Sequence, residues 1–324
     1  SPPPDVSTPV TTPTVTGRDP RVLLALASTA VALAAADTYV VVLALTDMMS
    51  GVGLGLDNLQ RAAPIISGFL LGYIAVLPLI GRLADLVPRS RILLGCLVVF
   101  VIGSGITALA VSLDVLVAGR VVQGVGGGGL VPATLALVAD LWPPGRRGMP
   151  LGVVGAVQEL GSVLGPLLGA AVLAVADWRA IFWLNVVAGV VLFVAIAVAA
   201  GGTRRPPFVP TALGVVATGL LWLTLAAPQA LATDVTLGIP FVPFAGEGRL
   251  LTPIGVVTGL LLLVLVVITR DRWWPPLRVS DLPGALLLGT TLGCIVLTFS
   301  SADPETEVVG PLGYALLPVA VVAA

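Results

Sequence analysis

The sequence has no histidine and no lysine, so all 16 of its basic residues are arginine. Without lysine there is no P-loop cation and no Schiff-base chemistry. Without histidine there is no His-based zinc site and no Ser-His-Asp triad. Cysteine is nearly absent as well: Cys96 and Cys294 both lie within apolar runs and read as small buried hydrophobes, not as a disulfide framework. Charge is scarce at 10% of 324 residues, against about 25% in an ordinary soluble domain. The net charge of −1 leaves no footprint for nucleic acid. No metal site and no cofactor is expected.

Apolar residues are abundant instead, at 57%, with a mean hydropathy of +1.09. A soluble protein of this length lacks the polar surface to cover so much of them. The expected class is all-α, a polytopic helical membrane protein. Residues 1–20 hold six prolines with Ser and Thr and read as a disordered tail without a signal-peptide core. Long apolar runs follow at about 22–45, 63–85, 92–112, 115–139, 151–174, 181–200, 211–228, 251–269 and 283–300. A further run opens at Pro311 and reaches Ala324 after 14 residues, fewer than the ~20 that span a bilayer, so the chain reads as stopping inside a helix.

Arginine placement orients these spans. With the N-terminus in the cytoplasm, 12 arginines fall in cytoplasmic segments and three (Arg61, Arg179, Arg249) in outer ones, with Arg120 inside a span. Trp273 and Trp274 then stand at a cytoplasmic interface.

Three ionisable groups lie within spans, where such groups are costly and mark functional sites by default. Asp37 lies about 22 Å above the inner end of the first span, and Arg120 about 8 Å below the outer end of the fourth, so both are in the outer half. Glu159 lies about 12 Å into the fifth span, near mid-membrane. A carboxyl group paired with a cation in one state and isolated in another loads and releases a proton as the protein switches. Asp37 and Glu159 are therefore expected to couple protons, with Arg120 and Gln123 as ion-pair and coupling partners. A fixed structural pair, or an Asp37 facing a watery vestibule, is the other reading, and Asp114 is a nearby alternative partner for Arg120. Whether a further partner for Asp37 lies in a segment after residue 324 is left open.

Glycines accompany the charges. Gly161, Gly165 and Gly169 lie about 200–280° around the helix from Glu159, which suits close helix packing on one face and leaves the carboxylate to another neighbour or a cavity. Gln123, Gly124, Gly127 and Gly128 share the face of Arg120. Gly124–Gly129 formally matches G-x-G-x-x-G, but no strand precedes it and it lies in an apolar span, so a dinucleotide site is rejected.

Several stretches carry a family resemblance. Gly81-Arg82-Leu83-Ala84-Asp85-Leu86-Val87-Pro88-Arg89 resembles the signature that follows the second span in the major facilitator superfamily. Arg120-Val121-Val122-Gln123-Gly124 resembles its fourth-span signature, and Gly161 to Gly169, with Pro166, its fifth-span antiporter packing motif. The first signature departs at Leu86, Pro88 and Ser90, while Gly81, Asp85 and Arg89 match. The resemblance implies that these three belong to a cytoplasmic gate. It also implies six spans, a linker and a second six-span bundle.

The two runs after the sixth span resemble the fourteen-span drug–proton antiporter subgroup, as does Trp178-Arg179-Ala180-Ile181-Phe182-Trp183-Leu184-Asn185 at the start of that span. The organisation expected is a tail at 1–20, a six-helix bundle at 21–200, a linker with two further helices at 201–282, and the start of a second bundle at 283–324. Asp37 to Val41 and Gln158 to Pro166 are similar to the mycobacterial lipid exporters of this subgroup. Those move triacylglycerides and lipoglycans to the envelope with a lipoprotein partner.

The function implied is proton-driven export of an amphipathic or lipid substrate across the inner (plasma) membrane, by a transporter and not an enzyme. Multidrug–proton antiport, a passive lipid scramblase or channel, and a scaffold without transport are the alternatives.

Overall fold

The computed structural model describes residues 19–55, 59–201, 216–217, 219–221, 223–224, 252–271, 275, 278, 282–300 and 313–323. The proline-rich tail up to residue 18, most of the segment from 202 to 251, and Trp273 and Trp274 lie outside the described residues.

All the regular structure described is helical. Six helices are long and apolar enough to cross a membrane: α1 (Pro20–Gly51), α2 (Leu59–Leu86), α3 (Arg89–Ala108), α4 (Leu113–Leu141), α5 (Gly148–Leu173) and α6 (Arg179–Ala199). Three shorter ones follow, α7 (Pro253–Ile268), α8 (Leu282–Ser300) and α9 (Gly313–Ala323). The positions described between 216 and 224 are helical too.

Helix starts follow local chemistry. Asp19 caps α1 by accepting from the Arg21 amide at 2.9 Å, and Pro20 occupies the first turn, where no donor is needed. Interior prolines (Pro64, Pro78, Pro132, Pro166) are tolerated because neighbouring helices support the freed backbone. The turn from α4 to α5 is held by Arg147, which donates from Nε to Trp142 O at 2.9 Å and from Nη2 to Ala139 O at 2.6 Å. These carbonyls belong to the end of α4, where orphan acceptors need partners. Its neighbour Arg146 makes no such bond among the described residues. Arg147→Ala is therefore expected to cost about 1–3 kcal/mol, and Arg146→Ala less than about 0.5 kcal/mol, as read by thermal unfolding in detergent.

α4 sits at the centre. It packs against α2, α3 and α1, while α5 packs along α1 and α6 along α3. Glycine makes this closeness achievable. A Cβ on Gly124 or Gly128 would collide with the α2 backbone at Phe69 or Tyr73, and one on Gly126 with the α3 backbone at Phe100. The glycine run of α4 thus serves two neighbours at once, and no loop or phosphate cradle forms there. On α5, Cβ atoms at Gly161 and Gly165 would stand 2.5 Å from the carbonyl oxygens of Ala32 and Ala36 on α1.

The interior is divided in two. One apolar core joins Ala27–Ala34, Phe69–Ala84, Ile92–Phe100, Leu130–Leu137 and Leu192–Ile196. The other joins Val40–Met49, Ala62–Ile65, Ala108, Ala110, Leu116 and Trp178–Phe182. On α1, α3, α4 and α6 the residues between the two cores include Asp37, Ser104, Arg120, Gln123 and Asn185, all buried. A polar layer therefore separates two apolar ones.

Candidate functional site

The polar layer is built by side chains from four helices, α1, α3, α4 and α6, with one backbone carbonyl from α2. Asp37 is held in α1 between Ala34 and Val40, both packed into the interior, so its carboxylate has no route outward. Arg120 approaches from α4 with 1% of its surface exposed. Its Nη1 donates to Asp37 Oδ2 at 2.6 Å and to Gln123 Oε1 at 2.6 Å, and its Nε donates to Ile65 O of α2 at 3.3 Å. The guanidinium also lies 4.5 Å from the Phe69 ring centroid and 5.7 Å from that of Phe182.

Two neutral residues complete the layer. Asn185 of α6 donates from Nδ2 to Asp37 Oδ1 at 2.5 Å. Gln123 donates from Nε2 to Ser104 Oγ of α3 at 2.9 Å, and Ser104 in turn donates to Phe100 O at 2.9 Å. The hydrogen bonds form one connected relay from α6 through α1 and α4 to α3. Both oxygens of Asp37 accept from donors, so the carboxylate is matched for charge and for hydrogen bonding.

Asp37 is paired within this chain. Its partners are Arg120 and Asn185, brought to it from 83 and 148 residues away. Asp114 is not the partner of Arg120. The reason is depth: Asp37 and Arg120 lie at one level of adjacent helices, whereas Asp114 sits in the first turn of α4, away from that layer.

Glu159 is placed differently. It is exposed, and it lines a cavity of about 190 Å³ with Thr38 and Tyr39 of α1, Phe69, Leu70 and Tyr73 of α2, Gly127 and Val131 of α4, and Gln158 and Ser162 of its own helix. It does not touch the Asp37 cluster, but Thr38 and Phe69 belong to both neighbourhoods by sequence adjacency and by contact. The cavity has polar groups (Glu159, Gln158, Ser162, Thr38) set in an otherwise aromatic and aliphatic wall, as binding clefts for small molecules commonly do.

At the end of the bundle that carries Arg89, the signature residues separate. Arg89 Nε lies 3.4 Å from Asp140 Oδ2 at the end of α4, with side chains 32% and 43% exposed. Such a half-exposed pair contributes about 0–1 kcal/mol. Asp85 is exposed and makes no ion pair among the described residues, and Gly81 faces open space.

The opposite end is tied by Arg179. It donates to Ala110 O at 3.0 Å and stacks on Trp178 at 4.3 Å, and Trp178 is itself buried against Gly51.

Asn185, Ser104 and Asp140 were not singled out from the sequence as site residues. For Asn185 a signal existed: the chain has two asparagines, and this one alone falls within an apolar run. Among the described residues no cluster of His, Cys, Asp and Glu is arranged to hold a metal.

Comparison with known proteins places this geometry in a family. The Major Facilitator Superfamily profile matches residues 27–316. A triacylglyceride transporter of Mycobacteroides abscessus is 44% identical over 253 residues, which is 72% of this chain and 49% of that one. Another from Mycolicibacterium hassiacum is 54% identical over 158 residues, 48% of this chain and 30% of that one. The chain thus spans about half the length, or less, of the curated relatives it matches. A bacterial homologue of the human lysosomal transporter Spinster, in an inward-facing conformation, aligns with a TM-score of 0.46 and 14% identity over 94% of this chain and 92% of that one. With the profile covering nearly all of α1 to α9, the chain belongs to the Major Facilitator Superfamily.

Proposed function

We propose that this transporter moves a lipid or similarly amphipathic molecule outward in exchange for protons, as a member of the fourteen-span antiporter type. The names of the mycobacterial relatives support a triacylglyceride-like substrate. The arginine distribution supports an N-terminus in the cytoplasm. On this reading residues 21–200 are the first bundle, 201–282 a linker with two further helices, and 283–324 the opening of a second bundle. Alternating access then rocks one bundle against the other about the central site. An envelope lipoprotein that receives the lipid belongs to the same proposal.

The observation that carries it is the fully engaged Asp37 beside a cavity lined by Glu159. Arg120 balances the charge of Asp37 at one carboxylate oxygen while Asn185 donates to the other, so neutralising Asp37 removes the charge that holds Arg120 in place. The asparagine amide can serve both forms, because it donates to a carboxylate and, rotated, accepts from the acid. Proton uptake at Asp37 is thereby tied to a rearrangement of α1 against α4 and α6. Glu159, already open to the cavity, supplies the second protonatable group, one that substrate can displace or discharge.

The energetics suffice. One charge crossing ~100 mV yields about 2.3 kcal/mol. A pH difference of one unit adds about 1.4 kcal/mol, and together these support a gradient of a few hundredfold.

The test is transport of labelled triacylglyceride in proteoliposomes under an imposed proton gradient, with Asp37→Asn and Glu159→Gln. Each variant is expected to lose at least about tenfold of gradient-driven transport, the equivalent of ~1.4 kcal/mol. Parental rates with the parental pH dependence in both variants would remove the assignment. Transport that survives collapse of the gradient would point to a passive scramblase on the same scaffold.

A further inference from the structure

A second cavity lies at the other end of α1 from the Arg179 tie, where α1 begins and α4 turns into α5. It encloses about 830 Å³ and is lined by Arg21, Leu24, Trp142, Gly145, Arg146, Gly148, Met149, Pro150 and Val153. Its wall is chiefly aliphatic and aromatic, with Met149 83% exposed into open space. Among the described residues its charged lining groups are the two arginines.

Neither guanidinium is engaged in an ion pair among the described residues, in contrast to Arg147, whose donors are spent on the α4 carbonyls. Arg21 stands in the first turn of α1, and Arg146 in the short 3-10 turn Pro144–Arg146 that precedes α5. They therefore sit at the level where the apolar helices end, with the apolar part of the groove running along the first turns of α1 and α5.

That pairing of features selects an occupant. Two arginines at the rim match one phosphate, which they can grip with paired N–H donors. An apolar trough of this volume beneath them matches the upper part of an acyl chain, and Trp142 has the amphipathic ring that favours the membrane interface. A soluble anion would use the arginines but leave the trough wet, and a neutral lipid would fill the trough but leave both cations unpaired.

We infer that this groove is a binding site for an anionic phospholipid, with its phosphate between Arg21 and Arg146 and an acyl chain along Leu24, Met149 and Val153. Its lining residues Leu24 and Val153 lie about 10 Å and about 8 Å along α1 and α5 from Val31 and Gln158 of the Glu159 cavity, and the site does not depend on the transport reading. Bound there, a lipid of the surrounding leaflet bridges α1 and α5, the two helices that carry Asp37 and Glu159.

Trp142 makes the site readable. The protein is reconstituted with phosphatidylcholine containing increasing fractions of brominated phosphatidylglycerol or of brominated phosphatidylcholine. The quenching of Trp142 is taken as the difference between the parent and Trp142→Phe. Brominated phosphatidylglycerol is expected to quench at a lower mole fraction, by about fivefold for each arginine. Arg21→Gln together with Arg146→Gln is expected to abolish that preference, whereas Arg61→Gln, at the other end of the bundle, leaves it intact. Val153→Phe, which fills the trough without touching charge or adding a tryptophan, is expected to reduce quenching by either lipid at this position. Equal quenching by the two lipids in the parent, a preference that survives loss of both arginines, or displacement by inorganic phosphate alone would each overturn the assignment. Failure of the Asp37 and Glu159 transport test leaves this outcome unaffected, since it reads lipid contact and not flux.

Discussion

Arg120→Ala is expected to be among the most damaging single substitutions in the bundle, at about 3–5 kcal/mol of stability. The cost comes chiefly from what remains. Asp37 would keep its buried position with one donor removed, and Gln123 and the Ile65 carbonyl would each lose a partner. Asp37→Asn alone removes a charge from the same pair and leaves Arg120 uncompensated, so it too destabilises. Combining Asp37→Asn with Arg120→Ala removes both charges and is expected to recover a large part of the loss, giving a coupling energy of about 1–3 kcal/mol. Lysine at position 120 is expected to rescue poorly, since it offers a point charge and not a planar fork that reaches α1, α2 and Gln123 together. Thermal unfolding in a mild detergent, run on the parent and the three variants as a cycle, measures this. Additive losses would show that the pair is not the unit described here.

The second large effect is expected at a glycine. Gly103 and Gly95 lie two turns apart on α3, and the sequence treats them alike. In the structure a Cβ at Gly103 would collide with the backbone of Gln123 on α4, while one at Gly95 meets nothing within 4 Å. A backbone atom cannot yield without moving its helix, so Gly103→Ala must separate α3 from α4. That opens a gap along the α3–α4 contact and displaces Gln123 from Ser104. Overpacking of this kind costs about 1–3 kcal/mol and occasionally more, and the lost polar contact adds to it. Gly95→Ala is expected to be neutral or to stabilise by up to about 1 kcal/mol, because alanine restricts the unfolded chain and suits a helix. Equal effects at the two positions would mean that α3 and α4 do not approach as described.

These two cases mark how far sequence reasoning reaches. Asp37 and Arg120 stand out in the sequence because a charge in an apolar run is rare, and the 1.5 Å rise per residue sets them at a similar depth along their spans. Their pairing does not follow from that. Which helix borders which is settled by side-chain and glycine packing over many residues, none of which is special alone. Asn185 shows the same limit, since the sequence marks it only as an amide within an apolar run and its value here lies in reaching Asp37. Glu159 and Asp37 look equivalent in the sequence, yet one is sealed between two apolar cores and the other faces a cavity. For Arg89 the resemblance directed attention to Asp85, and the structure offers Asp140 instead, because α4 ends beside the start of α3.

The sequence by itself determined the class of the protein. Its lack of histidine and lysine, its long apolar runs and its few arginines leave room only for a helical membrane protein, because backbone polar groups in a bilayer must be satisfied within each segment. The spacing of runs then sets where helices can lie, and the glycine pattern shows where helices can come close. Tertiary structure alone decided the rest: that a polar layer from four helices divides the interior, that Asp37 is engaged within it by Arg120 and Asn185, and that Glu159 is not part of it. The physical reason is that depth along a helix is a local property of the chain, whereas lateral neighbours are a collective result of packing.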